Sequence, residues 1–232
     1  MRSLFITGTD TGVGKTIVAA SLLAAARARS IRAAPMKPVQ TGCTGRASQL
    51  RAPDLDFCLA VADLNPTPEE QRWMCPYRFI PASSPHLAAK LRGLHIYKET
   101  IKTHFRKILS KYDAVIVEGA GGVLAPIDEK NTMLDIMKAL HLPVLLVARA
   151  GLGTISHTLL SLAELHRAKL NVIGIVLVQS TPGKQGVIEK DNARIIRKMG
   201  GVPILACLPF RKRFKASGFA PLLAPVFQAL EK

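Results

Sequence analysis

The stretch Ile6-Thr7-Gly8-Thr9-Asp10-Thr11-Gly12-Val13-Gly14-Lys15-Thr16 gathers glycines, hydroxyls and one lysine at a spacing suited to gripping phosphate. Apolar Leu4, Phe5 and Ile6 precede it and a helix-forming run, Ile17 to Ala26, follows. Strand, glycine-rich turn and helix form the context in which such a loop works. Successive backbone N–H groups make an anion-binding concavity, and the next helix adds the positive end of its dipole. Lys15 is placed to reach the terminal phosphates, and the Thr16 hydroxyl to bind Mg²⁺. Thr9, with Gly8 just ahead, stands where the common pattern has glycine four residues before the Gly-Lys pair. The segment predicts binding of a nucleoside triphosphate. The alternative, a strand–turn–helix with a coincidental Gly-Lys-Thr, is disfavoured by the flanking context.

Other segments carry groups that chemistry on a triphosphate needs. Asp113-Ala-Val-Ile-Val-Glu118-Gly-Ala-Gly-Gly122 places a carboxylate at the end of an apolar run. Glu118 there can bind Mg²⁺ directly or through water, or else cap a turn. Met36-Lys37-Pro38-Val39-Gln40-Thr41-Gly42 places a lysine at another strand end, where it can clamp a phosphoryl group or stabilise developing negative charge. Its alternative is an exposed lysine. Asp54 opens a helix after Pro53, where a capping role competes with a metal role, and Asp56 competes with it as a metal ligand. Ser83 and Ser84 precede Pro85 at a helix start, where they can cap the helix or bind a polar substrate. His86 could act as a base, but such a histidine is more often an ordinary hydrogen-bonded residue, and it is given no catalytic role. No Ser/His/Asp nucleophile arrangement and no metal-type His pair is apparent.

These residues need a scaffold that brings them to one edge. Strands are predicted at Ser3–Thr7, Arg32–Met36, Asp113–Glu118, Pro143–Ala148, Val172–Val178 and Val202–Cys207. They are rich in Val, Ile and Leu without clean alternation, as buried parallel strands are. Helices are predicted at Lys15–Arg29, Asp54–Asp63, Ser84–Leu91, Tyr97–Ser110, Thr132–Leu140, Thr154–Ala168, Lys184–Met199 and Pro221–Leu230. Leu64 to Ser84, with Pro66, Pro68, Pro76 and Pro81, reads as irregular. The alternation argues for a single α/β domain over residues 1–232, with a mostly parallel central sheet and helices on both faces. Ligands of such sheets sit beyond the carboxyl ends of the strands. There the sequence places Lys37, then Glu118-Gly119-Ala120-Gly121-Gly122, Gly151-Leu152-Gly153-Thr154, Gln179-Ser180-Thr181-Pro182-Gly183 and Leu208-Pro209-Phe210.

Composition narrows the class. Apolar residues make up 48% of the 232, enough for a large core. No apolar run approaches the ~20 residues of a membrane span, and no signal-peptide pattern opens the chain. Cys43, Cys58, Cys75 and Cys207 form no close pair, which predicts reduced thiols and a cytoplasmic location. The net charge of +16 favours anionic partners. Yet only Arg211-Lys212-Arg213-Phe214-Lys215 is dense, and no nucleic-acid motif accompanies it, so neither nucleic acid nor membrane is expected as a partner.

Taken in order, five segments resemble the dethiobiotin synthetases, a family of P-loop NTPase type. They are Thr7 to Thr16, Lys37-Pro38-Val39-Gln40-Thr41-Gly42, Ser84-Pro85-His86, Val117-Glu118-Gly119-Ala120-Gly121-Gly122, and Leu142-Pro143-Val144-Leu145-Leu146-Val147. The resemblance runs from Ser3 to about Pro209. It implies an ATP-dependent ring closure in biotin synthesis. CO₂ adds to one amine of 7,8-diaminononanoate, the γ-phosphate of ATP activates the resulting carbamate, and the second amine displaces phosphate. It implies Mg²⁺ held by Thr16, Asp54 and Glu118, and Lys37, Lys15 and Thr11 as catalytic groups. The nucleotide would lie along Thr9 to Ile17, Glu118 and Gly121. The diamine would meet Lys37, Thr41, Ser83, Ser84 and the segment Gly119 to Gly122. Its carboxylate would meet Gly153, Thr154, Ile155 and Ser156 across a homodimer interface. The chain departs from well-known members at Gly12, where some have Glu, at Ser156, where some have Asn, and at Val178-Gln179-Ser180, where an adenine-reading Asn is usual. Adenine is then read by Gln179 or by backbone groups near Leu208, Pro209 and Phe210.

Two rivals share the fold. A partitioning-type switch ATPase, which binds DNA or membrane, would draw on the basic charge. Those proteins carry a signature lysine near the position of Asp10, and an acid there argues against them. An amide-forming ligase of cobyrinate type would be longer and carry a glutaminase domain.

Overall fold

The computed structural model describes residues 2–46, 50–183 and 186–231. Each predicted strand forms within a few residues of its expected bounds: β1 Leu4–Gly8, β2 Ala33–Met36, β5 Ala114–Glu118, β6 Val144–Arg149, β7 Val172–Val178 and β8 Ile204–Leu208. They make one parallel six-stranded sheet in the order β2-β5-β1-β6-β7-β8. The chain leaves β1 toward one edge, returns through β5, and crosses to β6 on the other side. This reversal puts the end of β1 beside the end of β5, with Ile6 in register with Glu118.

Alternate strand residues feed two separate cores. Phe5, Val115, Val117, Val144, Leu146 and Ile175 pack in one. Leu4, Ile6, Ile116, Leu145, Val147 and Val176 pack in the other. Both faces are covered, so the strands are apolar on both sides and show no polar alternation. The first core is closed by α3 Pro68–Met74, α5 Lys98–Leu109, α6 Met133–Leu140, α7 Thr154–Arg167 and α8 Val187–Gly200. The second is closed by α1 Lys15–Arg27 and α10 Ala224–Glu231. The helix α2, Pro53–Ala62, sends Leu55 and Leu59 into one core and Cys58 and Ala62 into the other. It therefore wraps the β2 edge. Among the described residues no helix is long and apolar enough to cross a membrane.

The segment Leu64 to Ser84 is more ordered than its prolines suggest. Thr67 caps α3 in a reciprocal capping box with Glu70, and Pro68 takes the first helical turn. There its missing N–H costs nothing. After α3, β4 (Tyr77–Arg78) pairs in parallel with β3 (Val39–Gln40). At the other end the expected helix Pro221–Leu230 is three pieces: α9 Ala216–Phe219, a 3-10 turn Ala220–Leu223, and α10. Pro221 and Pro225 explain the break, since proline is tolerated only in a first helical turn. The expected start of α8 at Lys184 lies outside the described residues. Its described part begins at Val187. The short helix α4 covers Pro85–Lys90.

Candidate active site

Helix α1 starts without a side-chain cap and without an acidic residue in its first turn. Its leading N–H groups and dipole are left for an external anion. The turn into it needs Gly14, whose φ of 101° disfavours side chains and whose added Cβ would stand 3.0 Å from Val178. The Lys15 ammonium folds back to the Asp10 carbonyl at 2.8 Å. Burial, and then the nearby Lys37 ammonium, lower its pKa from the ordinary 10.5 to about 8.

Next to the loop lies an ion cluster built from three elements. Lys37 Nζ stands 2.7 Å from Asp54 Oδ2 and 2.7 Å from Glu118 Oε1. The Thr16 hydroxyl donates to the same Glu118 oxygen at 2.9 Å. Lys37 and Glu118 are buried at 5% and 4% exposure, too little for water to satisfy either charge alone. Burial pushes the Lys37 ammonium toward neutrality, but Glu118 and Asp54 overcome it and hold its pKa above the usual lysine range. Burial likewise raises the Asp54 carboxyl, and Lys37 overrides it to leave the pKa lowered. Lys37 is thus a fixed cation and not a base. The unpredicted helix α3 helps to place it, because the Lys37 backbone N–H donates to the Met74 carbonyl at 2.7 Å. Asp56 is tied to exposed Arg51 at 3.1 Å, which leaves Asp54 as the carboxylate facing Lys37.

The cluster forms one wall of a cavity of about 890 Å³. Asp10, Thr11, Gly12, Gly14, Lys15, Thr16 and Ile17 line its floor. Thr41, Ser83, Ser84, Ala120, Gly121 and Gly122 line the cavity as well. Gly122 closes against the loop, where an added Cβ would meet the Thr9 carbonyl at 3.1 Å. Thr9 itself and Gly119 stand behind the cavity. Thr9 donates its N–H to Val147 at 3.0 Å, and Gly119 makes room for Phe5.

A second cavity, of about 280 Å³, opens on the far side of Gly12, Val13, Gly14 and Ile17. Its other wall is formed by Gln179, Leu208, Pro209 and Phe210, joined by Phe214 and Phe219. The Gln179 Nε2 donates to the Gly183 carbonyl at 2.9 Å, while its Oε1 is buried without a partner among the described residues. Gly153, Thr154, Ile155 and Ser156 line neither cavity. They begin α7; Leu152 just before it and Leu160 two turns along it are exposed at 94% and 67%.

Several lining or bracing residues went unselected by the sequence reading. Gln40 lines the large cavity and lay inside the quoted Lys37-to-Gly42 motif. Arg149 ends β6 and donates to the Thr11 carbonyl at 3.2 Å, with Asp10 at 3.9 Å. Its signal was a cation at a strand end. Asn192 on α8 donates to the carbonyls of Ala150 and Gly151 at 3.0 and 3.1 Å, fixing the loop before α7. A single Asn in an amphipathic helix gave no signal.

Two carboxylates and a hydroxyl meeting beside a phosphate loop form a hard-oxygen set. Such a set fits Mg²⁺, which takes one or two carboxylates and leaves its other positions to water and phosphate. The neighbouring cavity has room for a second substrate beside a triphosphate.

Comparison with known proteins bears on the family and the fold. A family model described as an AAA domain matches residues 2–217. An ATP-dependent dethiobiotin synthetase of Anoxybacillus flavithermus is 39% identical over 216 residues, covering 92% of this chain and 94% of the relative. One from Anaeromyxobacter sp. strain K is 42% identical over 212 residues, covering 90% and 91%. Among solved structures, a ParA family ATPase from Chlorobium tepidum superposes with a TM-score of 0.58 at 17% identity, covering 99% of this chain and 98% of that one. Chloroplast FtsY from Physcomitrella patens superposes with a TM-score of 0.56 at 15% identity, covering 97% of this chain and 65% of that one. At such identities these structures speak to the fold alone. The sequence relatives, matched along nearly their whole length, go further: the chain belongs to the dethiobiotin synthetase family.

Proposed function

We propose that this protein is an ATP-dependent ligase of biotin biosynthesis that converts 7,8-diaminononanoate and CO₂ to dethiobiotin. The observation that carries the reading is the Lys37 ammonium, fixed between Asp54 and Glu118 at the junction of the phosphate loop and the 890 Å³ cavity. Phosphoryl transfer depends mainly on positioning and charge neutralisation. The loop N–H groups and Lys15 hold the triphosphate. One amine of the diamine combines with CO₂ to give a carbamate, whose oxygen takes the γ-phosphoryl group. Lys37 and Thr11 stabilise the charge that develops there. The second amine then attacks the carbamic–phosphoric anhydride, closing the ureido ring and releasing phosphate. Thr16, Asp54 and Glu118 would hold Mg²⁺, which neutralises phosphate charge when bound. Thr41, Ser83, Ser84 and the backbone of Gly119 to Gly122 receive the diamine.

The substrate carboxylate falls to Gly153, Thr154, Ile155 and Ser156 of a second copy of the chain, through the N–H groups and dipole of α7. Support comes from the uncovered apolar side chains of Leu152, before that helix, and Leu160, two turns along it. The base of ATP occupies the 280 Å³ cavity, where Phe210 and Phe214 offer apolar surface. Gln179 or backbone groups near Leu208 read its edge. Four free thiols, three of them buried, suit a reducing cytoplasm.

The test is a coupled assay in which the protein receives the diamine, bicarbonate, Mg²⁺ and ATP. The reading requires diamine-dependent dethiobiotin at one phosphate per product. ATP hydrolysis indifferent to the diamine and stimulated by DNA or lipid would instead favour a switch ATPase.

A further inference from the structure

The diamine presents a proton problem. In neutral water both amines are ammonium ions, yet each must be a free amine when it attacks carbon. The groups around the main cavity are poor acceptors. Lys15 and Lys37 are cations, the carboxylates of Asp54 and Glu118 are engaged by Lys37, and Asp10 accepts from the Thr11 N–H at 2.6 Å and faces Arg149 at 3.9 Å.

One imidazole is connected to this cavity by a single hydrogen bond. Ser84 Oγ, on the cavity wall, stands 2.9 Å from His86 Nδ1. Ser84 is the N-cap residue of α4, where a serine ordinarily accepts from an N–H of the first turn. Here its side chain makes no capping bond and is turned to His86. The histidine is itself anchored, its backbone N–H donating to the Pro126 carbonyl at 3.1 Å. Among the described residues no other histidine ring bonds to a side chain lining the main cavity. Behind His86 lies a separate cavity of about 620 Å³. Its walls carry Lys90 and His95 from α4 and the turn after it, and Asp128, Glu129 and Lys130 from the loop between β5 and α6. Lys90 stands 3.9 Å from Glu129. The outer side of His86 therefore opens on a roomy space of mixed lining, whose charged groups give a proton a way out.

We propose that Ser84 and His86 form a relay that accepts the proton of the attacking amine. Ser84 is the group that touches substrate, and His86 acts through it as a positioning residue and proton sink. In ring closure the amine nitrogen bonds to the carbonyl carbon of the anhydride. The bond from that carbon to the phosphate oxygen breaks, and phosphate leaves with the electron pair. The proton shed by nitrogen passes to Ser84 Oγ as the Ser84 hydroxyl proton passes to Nδ1 of His86. The inference rests on the ring-closing reading above and adds the identity of the proton acceptor.

The experiment is chemical rescue in the full-length protein. His86→Ala lowers kcat for dethiobiotin formation on the order of 10²-fold, the lower range for loss of general base catalysis. ATP affinity, measured by calorimetry, stays near the wild-type value, which also reports a folded loop. Added imidazole restores turnover in His86→Ala, entering through the 620 Å³ cavity, and restores none in the Ser84→Ala/His86→Ala double variant. His86→Gln, which keeps a hydrogen bond and loses the basic nitrogen, is as slow as His86→Ala. Unimpaired turnover in His86→Ala overturns the relay. So does a loss that imidazole does not repair while ATP still binds. A wild-type protein that forms no dethiobiotin overturns the ring-closing reading instead.

Discussion

Replacing Lys37 by methionine removes one charge from a three-charge cluster and keeps most of the side-chain volume. What remains is Glu118, 4% exposed, and Asp54, whose side chain is 32% exposed, with no cation between them. Breaking a buried pair by removing one partner costs roughly 3–5 kcal/mol. Partial exposure of Asp54 places this case near the lower figure. For a domain of this size each kcal/mol moves Tm by about 2–4 °C, so the variant should melt ~6–12 °C lower in metal-free buffer. The sign of the pH dependence also changes. In the wild type the Asp54 carboxyl has a lowered pKa, so its stabilisation is complete above the ordinary aspartate range and is lost as the pH falls through the lowered value. In the variant, protonation relieves two facing carboxylates, so Tm should rise from pH 7 to pH 5. Mg²⁺ should recover more stability in the variant than in the wild type, about 2.7 kcal/mol at a hundredfold excess over Kd. Turnover should fall by about 10²–10³, the range for losing one preorganised stabiliser of developing charge, while ATP affinity changes far less. Scanning calorimetry with and without Mg²⁺ reads the first effects and the coupled assay the last. A Tm within about 2 °C of wild type, indifferent to Mg²⁺, would refute the picture of a charge cluster held together by Lys37.

Lys15, with a pKa of about 8 in the free protein, should take up a proton as a triphosphate binds. The uptake should be largest just above pH 8, and nucleotide affinity should fall as pH rises from 8 to 10; calorimetry in buffers of different ionisation enthalpy measures both. The same lowering from 10.5 means that the charged lysine costs the empty loop about 3 kcal/mol below pH 8, a cost that fades toward pH 10.5. Glu118→Gln should raise the Mg²⁺ concentration needed for half-maximal activity, and an unchanged titration would leave Glu118 only its bonds to Thr16 and Lys37. Gln179→Ala should alter the preference among ATP, CTP and GTP. An unaltered profile would assign the base edge to backbone groups near Leu208.

Much of the scaffold was legible because its signals are local. The buried strands are continuous runs of Val, Ile and Leu, and the phosphate loop carries its own flanking context. Helix α3 was hidden by counting prolines as breakers, although Thr67 and Glu70 already spelled a capping box and Pro68 stood at a permitted position. What no local pattern could show is convergence. Lys37 and Glu118 lie 81 residues apart and meet only because β2 and β5 are neighbours in the sheet. The Arg149 brace on the loop and the Asn192 clamp before α7 depend likewise on strand order and helix packing. The family pattern named Gly153 to Ser156, and within one chain they line neither cavity.

The central claim is that the γ-phosphoryl group passes to a carbamate oxygen in the cavity between Lys15 and Lys37. Turnover of the diamine with ¹⁸O-labelled CO₂, followed by mass analysis of the released phosphate before the label exchanges with water, tests it most directly. The account predicts one ¹⁸O carried into each phosphate formed with dethiobiotin. Phosphate free of label, with its fourth oxygen drawn from water, would mean that ATP is simply hydrolysed and that no carbamate is activated at this site.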